Sequence, residues 1–293
     1  ILSGLVGSEM CIRDSSGTSS VVNLLSHLGL HGPQDPMNPK PDNPEGFGES
    51  LGITHLDDLL LYRLGGAWQC PPPSSALDFD DPDWIERGRA AFTTSFGGRD
   101  EARGWVLKDP RISLLLPFWR RVLGRERLRI LCVFRSPEQV VASLASERRG
   151  SSQMTNEVLA MANWERYNRS MLEQLGPDDT VLFADFDRLL HDEEYRQAFA
   201  PAAAAFLSPV METSPASVAV GLEERLSWGK TTSRTSPGVL SPEREALRWT
   251  LDRTRTHLDG TPGAVGPEDP STEELFLEHR QCEDPKTCHH VSG

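Results

Sequence analysis

Ser16-Gly17-Thr18-Ser19-Ser20 places hydroxyl groups and a glycine directly ahead of an apolar run, Val21 to Leu30. Val21, Leu24, Leu25 and Leu28 recur at helical spacing, which predicts an amphipathic helix. A hydroxyl side chain at such a start caps free N–H groups. The other N–H groups and the helix dipole favour an anion, and Gly17 lets backbone come close to it. The chemistry permitted is therefore binding of a phosphate or sulfate, although an ordinary capped helix would use the same residues. A nucleoside-triphosphatase loop is a poor fit. It needs Gly-Lys-Ser/Thr, with the Lys on the terminal phosphates, and here Thr18 follows Gly17 directly. Further chemistry-bearing groups are Lys108, Asp109 and Arg111 in W-V-L-K-D-P-R, Arg135 in F-R-S-P, and Glu45 and Glu49 in N-P-E-G-F-G-E.

The elements that must position these groups are legible in outline. Residues 53–64 and 84–92 read as helices, and Trp105 to Arg111 as a short strand ending in charge. Residues 112–123 form an apolar-faced helix, and the near-continuous apolar run 128–134 is a buried strand. Pro137 suits a first helical turn, 156–175 is helical, 180–187 is a strand, and 192–258 is mostly helical. Strands alternating with helices predict an α/β fold with a central parallel sheet flanked by helices. Ligands in such folds sit at the carboxyl ends of the strands. That rule gathers Ser16–Ser20, Lys108–Arg111 and Arg135–Ser136 around one crevice.

S-G-T-S, N-P-E-G-F-G-E, W-V-L-K-D-P-R and F-R-S-P-E-Q-V-V-A-S-L, in this order from about Ser16 to Leu190, resemble the sulfotransferases that use 3′-phosphoadenosine-5′-phosphosulfate (PAPS). The resemblance implies a P-loop-like three-layer fold, PAPS as donor substrate and no metal. It implies that Ser16, Gly17, Thr18, Ser19 and Ser20 hold the 5′-phosphate, and that Arg135 and Ser143 hold the 3′-phosphate. Lys108 would lie against the transferring group, and Glu49, or failing it Glu45, would be the base. Each carboxylate would equally serve as a cap for the helix starting near Leu51. His27 and His31 are alternative bases, and Asp109 with Arg111 reads as an ion pair shaping a turn. The acceptor would be a hydroxyl or amine of a carbohydrate, lipid or small metabolite. The competing readings are a small-molecule kinase and an inactive nucleotide-binding relative. The last gains from Ser15, which stands where the family has Arg.

The first fifteen residues fit this scheme badly. Glu9, Arg13 and Asp14 would put charge into what should be a buried central strand. The string LVGSEMCIRDS resembles translated sequencing-adapter read-through, and the segment lacks the basic start and long apolar core of a secretory signal. The expected organisation is a non-native start over 1–15, a sulfotransferase domain over 16–259 and a disordered tail over 260–293.

The chain has 293 residues, 38% of them hydrophobic and 25% charged, as in ordinary globular domains. A net charge of −13 argues against a nucleic-acid partner, which needs a basic face. No apolar run approaches the roughly 18 residues of a membrane span. Five scattered cysteines give no disulfide framework and suggest a reducing, cytoplasmic setting. Cys282, Cys288, His289 and His290 lack a second ligand pair at zinc spacing, so no metal site is expected. Trp164, Tyr167, Asp185 and Trp228-Gly229-Lys230 are weaker candidates for pocket lining, the aromatics being better explained as core. The basic run Arg120, Arg121, Arg125, Arg127 and Arg129 reads as a solvated helix end.

Overall fold

The computed structural model describes residues 18–38, 48–73, 80–97, 104–125, 128–140, 157–211, 214 and 216–219, and residues 4–9 as backbone. Among them, four short strands form one parallel sheet: β1 (Gly4–Glu9), β2 (Trp105–Asp109), β3 (Leu128–Phe134) and β4 (Thr180–Asp185), in the order β2-β1-β3-β4. The helices are α1 (Thr18–His27), α2 (Leu51–Arg63), α3 (Pro82–Phe96), α4 (Ile112–Leu123), α5 (Glu157–Gln174), α6 (Phe186–His191) and α7 (Glu193–Met211). The chain is an α/β protein with a small parallel sheet and helices on both of its faces.

Alternation along the strands builds two cores. Trp105, Leu107, Ile130, Cys132, Phe134 and Phe183 face α2, α3, α4 and α5. Val106, Leu131, Val133 and Ala184 face α1, α6 and α7. Strands buried on both sides read as continuous apolar runs, which is why β2 and β3 were visible in the sequence. On the first face Phe92 meets Trp105 edge-on with ring centroids 4.6 Å apart. Trp119 and Trp164, each essentially inaccessible to solvent, anchor α4 and α5.

The helix after β1 lies on one face, while α4 and α5, which follow β2 and β3, lie on the other. The chain thus leaves β1 and β3 toward opposite faces, and the carboxyl ends of these two neighbours flank a topological switch point. α1 starts on one side of it and Arg135 follows β3 on the other.

Two expectations need correction. Charge counts against a buried strand before Ser16, yet Gly4–Glu9 is an interior strand, pairing with β2 from Gly4↔Trp105 to Ser8↔Asp109 and with β3 from Gly4↔Leu128 to Glu9↔Val133. Of the three charges, Glu9 is the last residue of the strand, and Arg13 and Asp14 lie outside the described residues. The cysteines are also not all thiols. Among the described residues Cys132 is free and buried, but Cys70 is disulfide-bonded, where the sequence shows no disulfide framework. Sequence spacing does not carry the Cα separation on which pairing depends. No helix among the described residues is long and apolar enough to cross a membrane. Residues 220–293, with Cys282, Cys288, His289, His290, Trp228 and the expected tail, lie outside the described residues.

Candidate functional site

Glu49 reaches the sheet because Gly48 has no side chain. Gly48 has φ +69°, and a Cβ there would stand 2.7 Å from Val22 Cγ1 of α1. The backbone beyond it is fixed as well. Met37 N–H donates to the Glu49 carbonyl at 2.8 Å. Ser50 caps α2, its Oγ accepting from Ile53 N–H at 3.1 Å and donating to Asp35 Oδ2 at 2.9 Å. From this frame the Glu49 carboxylate meets Lys108, whose Nζ donates to Oε1 at 2.6 Å. The two side chains are 1% and 0% exposed, so this is an ion pair shut off from solvent. Burial pushes the Glu49 carboxyl above its ordinary range, and the Lys108 charge opposes that shift.

Lys108 follows Val106 on the α1 face, and Asp109 turns to the opposite face. There Asp109 accepts from Thr54 Oγ1 at 2.8 Å, from Arg111 N–H at 2.8 Å and from Arg111 Nη1 at 3.0 Å. The Arg111 fork continues to Asp58, with Nε at 2.6 Å and Nη2 at 3.1 Å. Burial disfavours the Arg111 charge, but Asp109 and Asp58 outweigh it and raise its basicity further. Asp57 lies behind this network and accepts from Trp119 Nε1 at 3.1 Å. Its other oxygen has no hydrogen-bond partner among the described residues. Burial, reinforced by Asp109, pushes the Asp57 carboxyl well above the usual range. The expected Asp109–Arg111 pair is therefore present, as part of a larger network.

Arg135 emerges one residue beyond β3. Its Nε donates to Asp187 Oδ1 at 2.8 Å, and Ser136 N–H donates to Asp187 Oδ2 at 3.0 Å. Trp164 Nε1 donates to the Arg135 carbonyl at 3.2 Å, and the guanidinium lies 5.7 Å from the Phe186 ring centre.

Of the expected site residues, Lys108 and Glu49 are brought into contact, and Arg135 stands at the same edge of the sheet. Thr18, Ser19 and Ser20 form the first turn of α1, with Thr18 buried and Ser20 exposed. Ser16, Gly17, Glu45 and Ser143 lie outside the described residues. The histidines are not in this group. His27 is exposed and bonded to the Asn23 carbonyl, and His31 bridges to Trp105 at the amino end of β2, away from Lys108. Trp164 and Tyr167 are core, and Asp185 caps α6 through Arg188 N–H at 3.1 Å. Arg120 and Arg125 are tied to Asp179, and Arg129 donates to the Phe206 carbonyl, so much of the basic run is engaged locally. Among the described residues no group of three or more potential ligands could hold a metal ion.

Comparison with protein-family models, with curated proteins and with solved structures found no match. Two residues escaped the reading of the sequence. Asp57 shares a helix face with Ile53, Leu60 and Leu61, and a carboxylate at that spacing was the available signal. The apolar run places Asp187 at the end of a strand, but β4 stops at Asp185 and α6 begins at Phe186.

Proposed function

We propose that the chain is a PAPS-dependent sulfotransferase with a P-loop-like fold, acting on a hydroxyl or amine of a carbohydrate, lipid or small metabolite. The observation that carries the reading is the Lys108–Glu49 contact. Two segments 59 residues apart, each singled out for its own chemistry, deliver a cation and a carboxylate to one point at the carboxyl end of a parallel sheet. A second observation supports a donor with two anionic ends. The register Lys108↔Gly7↔Leu131 sets Arg135 two strands away and four residues further along. At strand spacings of about 4.8 Å and rises of about 3.3 Å, the two Cα atoms are roughly 16 Å apart. A small anion does not span that; a nucleotide carrying a phosphate at one end and a sulfuryl group at the other suits it.

In this reading the 5′ end of the donor meets the start of α1, with Ser16 to Ser20, and the 3′-phosphate meets Arg135 and Ser143. The acceptor oxygen forms a bond to sulfur as the bond from sulfur to the bridging phosphate oxygen breaks. Glu49, whose basicity burial raises, takes the acceptor proton. Lys108 stabilises negative charge on the departing oxygen, which requires it to turn from Glu49 toward the donor. Fixed cations and N–H groups do the work that a metal does in many phosphoryl transfers. Titration with PAPS, adenosine 3′,5′-bisphosphate and ATP with magnesium tests the reading. Binding of the first two is expected. Binding of ATP with magnesium alone would replace it with a kinase, and bisphosphate binding without sulfate transfer would leave an inactive relative.

A further inference from the structure

Asp187 grips the Arg135 region at two points, and the geometry points to it as the positioning residue of an anion-binding arginine. One carboxylate oxygen takes the Nε proton of Arg135 at 2.8 Å, and the other takes the N–H of Ser136 at 3.0 Å. A single carboxylate thus fixes both the guanidinium and the backbone that follows it. The sheet explains how Asp187 gets there. Phe134 pairs with Asp185 across β3 and β4, so Arg135 and Asp187 are the first residues past two adjacent strand ends that can face each other. Asp185 caps α6 and holds that turn in place. The Phe186 ring lies 5.7 Å from the guanidinium carbon, and Trp164 holds the Arg135 carbonyl. Arg135 is therefore constrained at its carbonyl, at Nε and at the succeeding N–H.

The contact is made on the Nε edge of the fork. A carboxylate there orients the plane of the guanidinium, so a phosphate would meet the Nη edge in a set geometry, taking over from the long Nη2 contact to Gln139 Oε1 at 3.4 Å. Pre-orienting a long, rotamer-rich side chain lowers the entropy lost when it binds. Asp187 also brings negative charge close to the anion, which works against affinity. Orientation is expected to outweigh this, because the Asp187 charge is offset by the guanidinium it touches and partly shielded by the Ser136 N–H.

This inference rests on the proposal that Arg135 binds an anionic end of the donor. The test is a double-mutant cycle in the full chain with Arg135→Ala and Asp187→Ala, and Asp187→Asn as a milder variant. Adenosine 3′,5′-bisphosphate is titrated calorimetrically, and inorganic pyrophosphate is a second probe. Thermal melts identify variants that fail to fold, and Asp187→Asn, which keeps an acceptor for Ser136 N–H, then replaces Asp187→Ala. Asp187→Ala is expected to weaken bisphosphate binding about tenfold, the lower end of what outer partners of ligating groups contribute. In the Arg135→Ala background it should change affinity by less than about twofold, because its effect runs through the arginine. Equal losses in both backgrounds would overturn the inference in favour of a general structural role. Tighter binding by Asp187→Ala would overturn it in favour of a carboxylate that competes with the anion. If the bisphosphate does not bind the wild-type chain but pyrophosphate shows the expected cycle, the nucleotide reading fails and the role of Asp187 stands. If neither probe binds, both fall.

Discussion

Removing one member of the Lys108–Glu49 pair should destabilise the chain far more than removing both. At 2.6 Å and an effective dielectric constant of about 20, the attraction is worth roughly 6 kcal/mol. Against it stands a desolvation cost of several kcal/mol for each ion, so the intact pair contributes close to nothing net. Glu49→Leu leaves the Lys108 ammonium buried without this carboxylate, and Lys108→Met leaves the carboxylate without the ammonium. Each single substitution should cost about 3–5 kcal/mol. The double variant replaces two buried charges by apolar groups of similar size and should be more stable than either single one. Equilibrium urea unfolding at neutral pH measures all four chains, provided the m-values agree. High salt should leave the cycle unchanged, since screening does not reach a buried pair. Single variants that each cost less than about 1 kcal/mol and simply add in the double would refute the reasoning, because that is the signature of an exposed pair.

Four other outcomes follow from the same geometry. Burial holds the folded Asp57 carboxyl well above its ordinary value of 3.8, so its contribution is fully present below that pH and is lost as pH rises through the folded value. The stability of wild type minus that of Asp57→Asn, measured from about pH 4 to about pH 8, should therefore fall with pH, by at most about 1.4 kcal/mol per unit; a flat difference would contradict the burial of that carboxyl. Gly48→Ala should cost about 1–3 kcal/mol from its positive φ and the Val22 clash, and Val22→Ala should recover part of it in denaturant melts. Arg111→Lys should cost about 1.5–3 kcal/mol, because an ammonium cannot serve Asp109 and Asp58 with the same fork. Val6→Pro, in the strand paired on both sides through Leu107 and Ile130, should cost about 3 kcal/mol or more; a variant as stable as wild type would remove β1 from the sheet.

Much of the fold was open to reading because its signals are local. α4 and β3 match the expected bounds, since a one-sided apolar pattern and a continuous apolar run each declare an element without help from the rest of the chain. β1 was missed for the converse reason. Gly4-Leu5-Val6-Gly7-Ser8-Glu9 is short and only partly apolar, and its strand character comes from two neighbours supplying ladders on either side. The site divides in the same way. Lys108 and Glu49 stood out individually, each by the residues around it. Their meeting did not, because it depends on Gly48 passing close to Val22, a contact between segments that no spacing encodes. Asp187 was hidden by a strand boundary placed two residues late, which put it inside an element and away from Arg135.

On the proposed reading Ser15 stands where the sulfotransferases carry Arg, so the donor site would lack one positive charge. Sulfate transfer from PAPS to a panel of hydroxyl and amine acceptors, measured for the chain and for its Ser15→Arg variant, is therefore the most direct test. The account predicts transfer by the variant at roughly a hundredfold the rate of the parent, the scale on which one transition-state donor acts. It also predicts that Lys108→Met combined with Glu49→Leu abolishes transfer in the variant while the protein stays folded. Phosphate transfer from ATP by either chain, with no sulfate transfer to any acceptor, would contradict it.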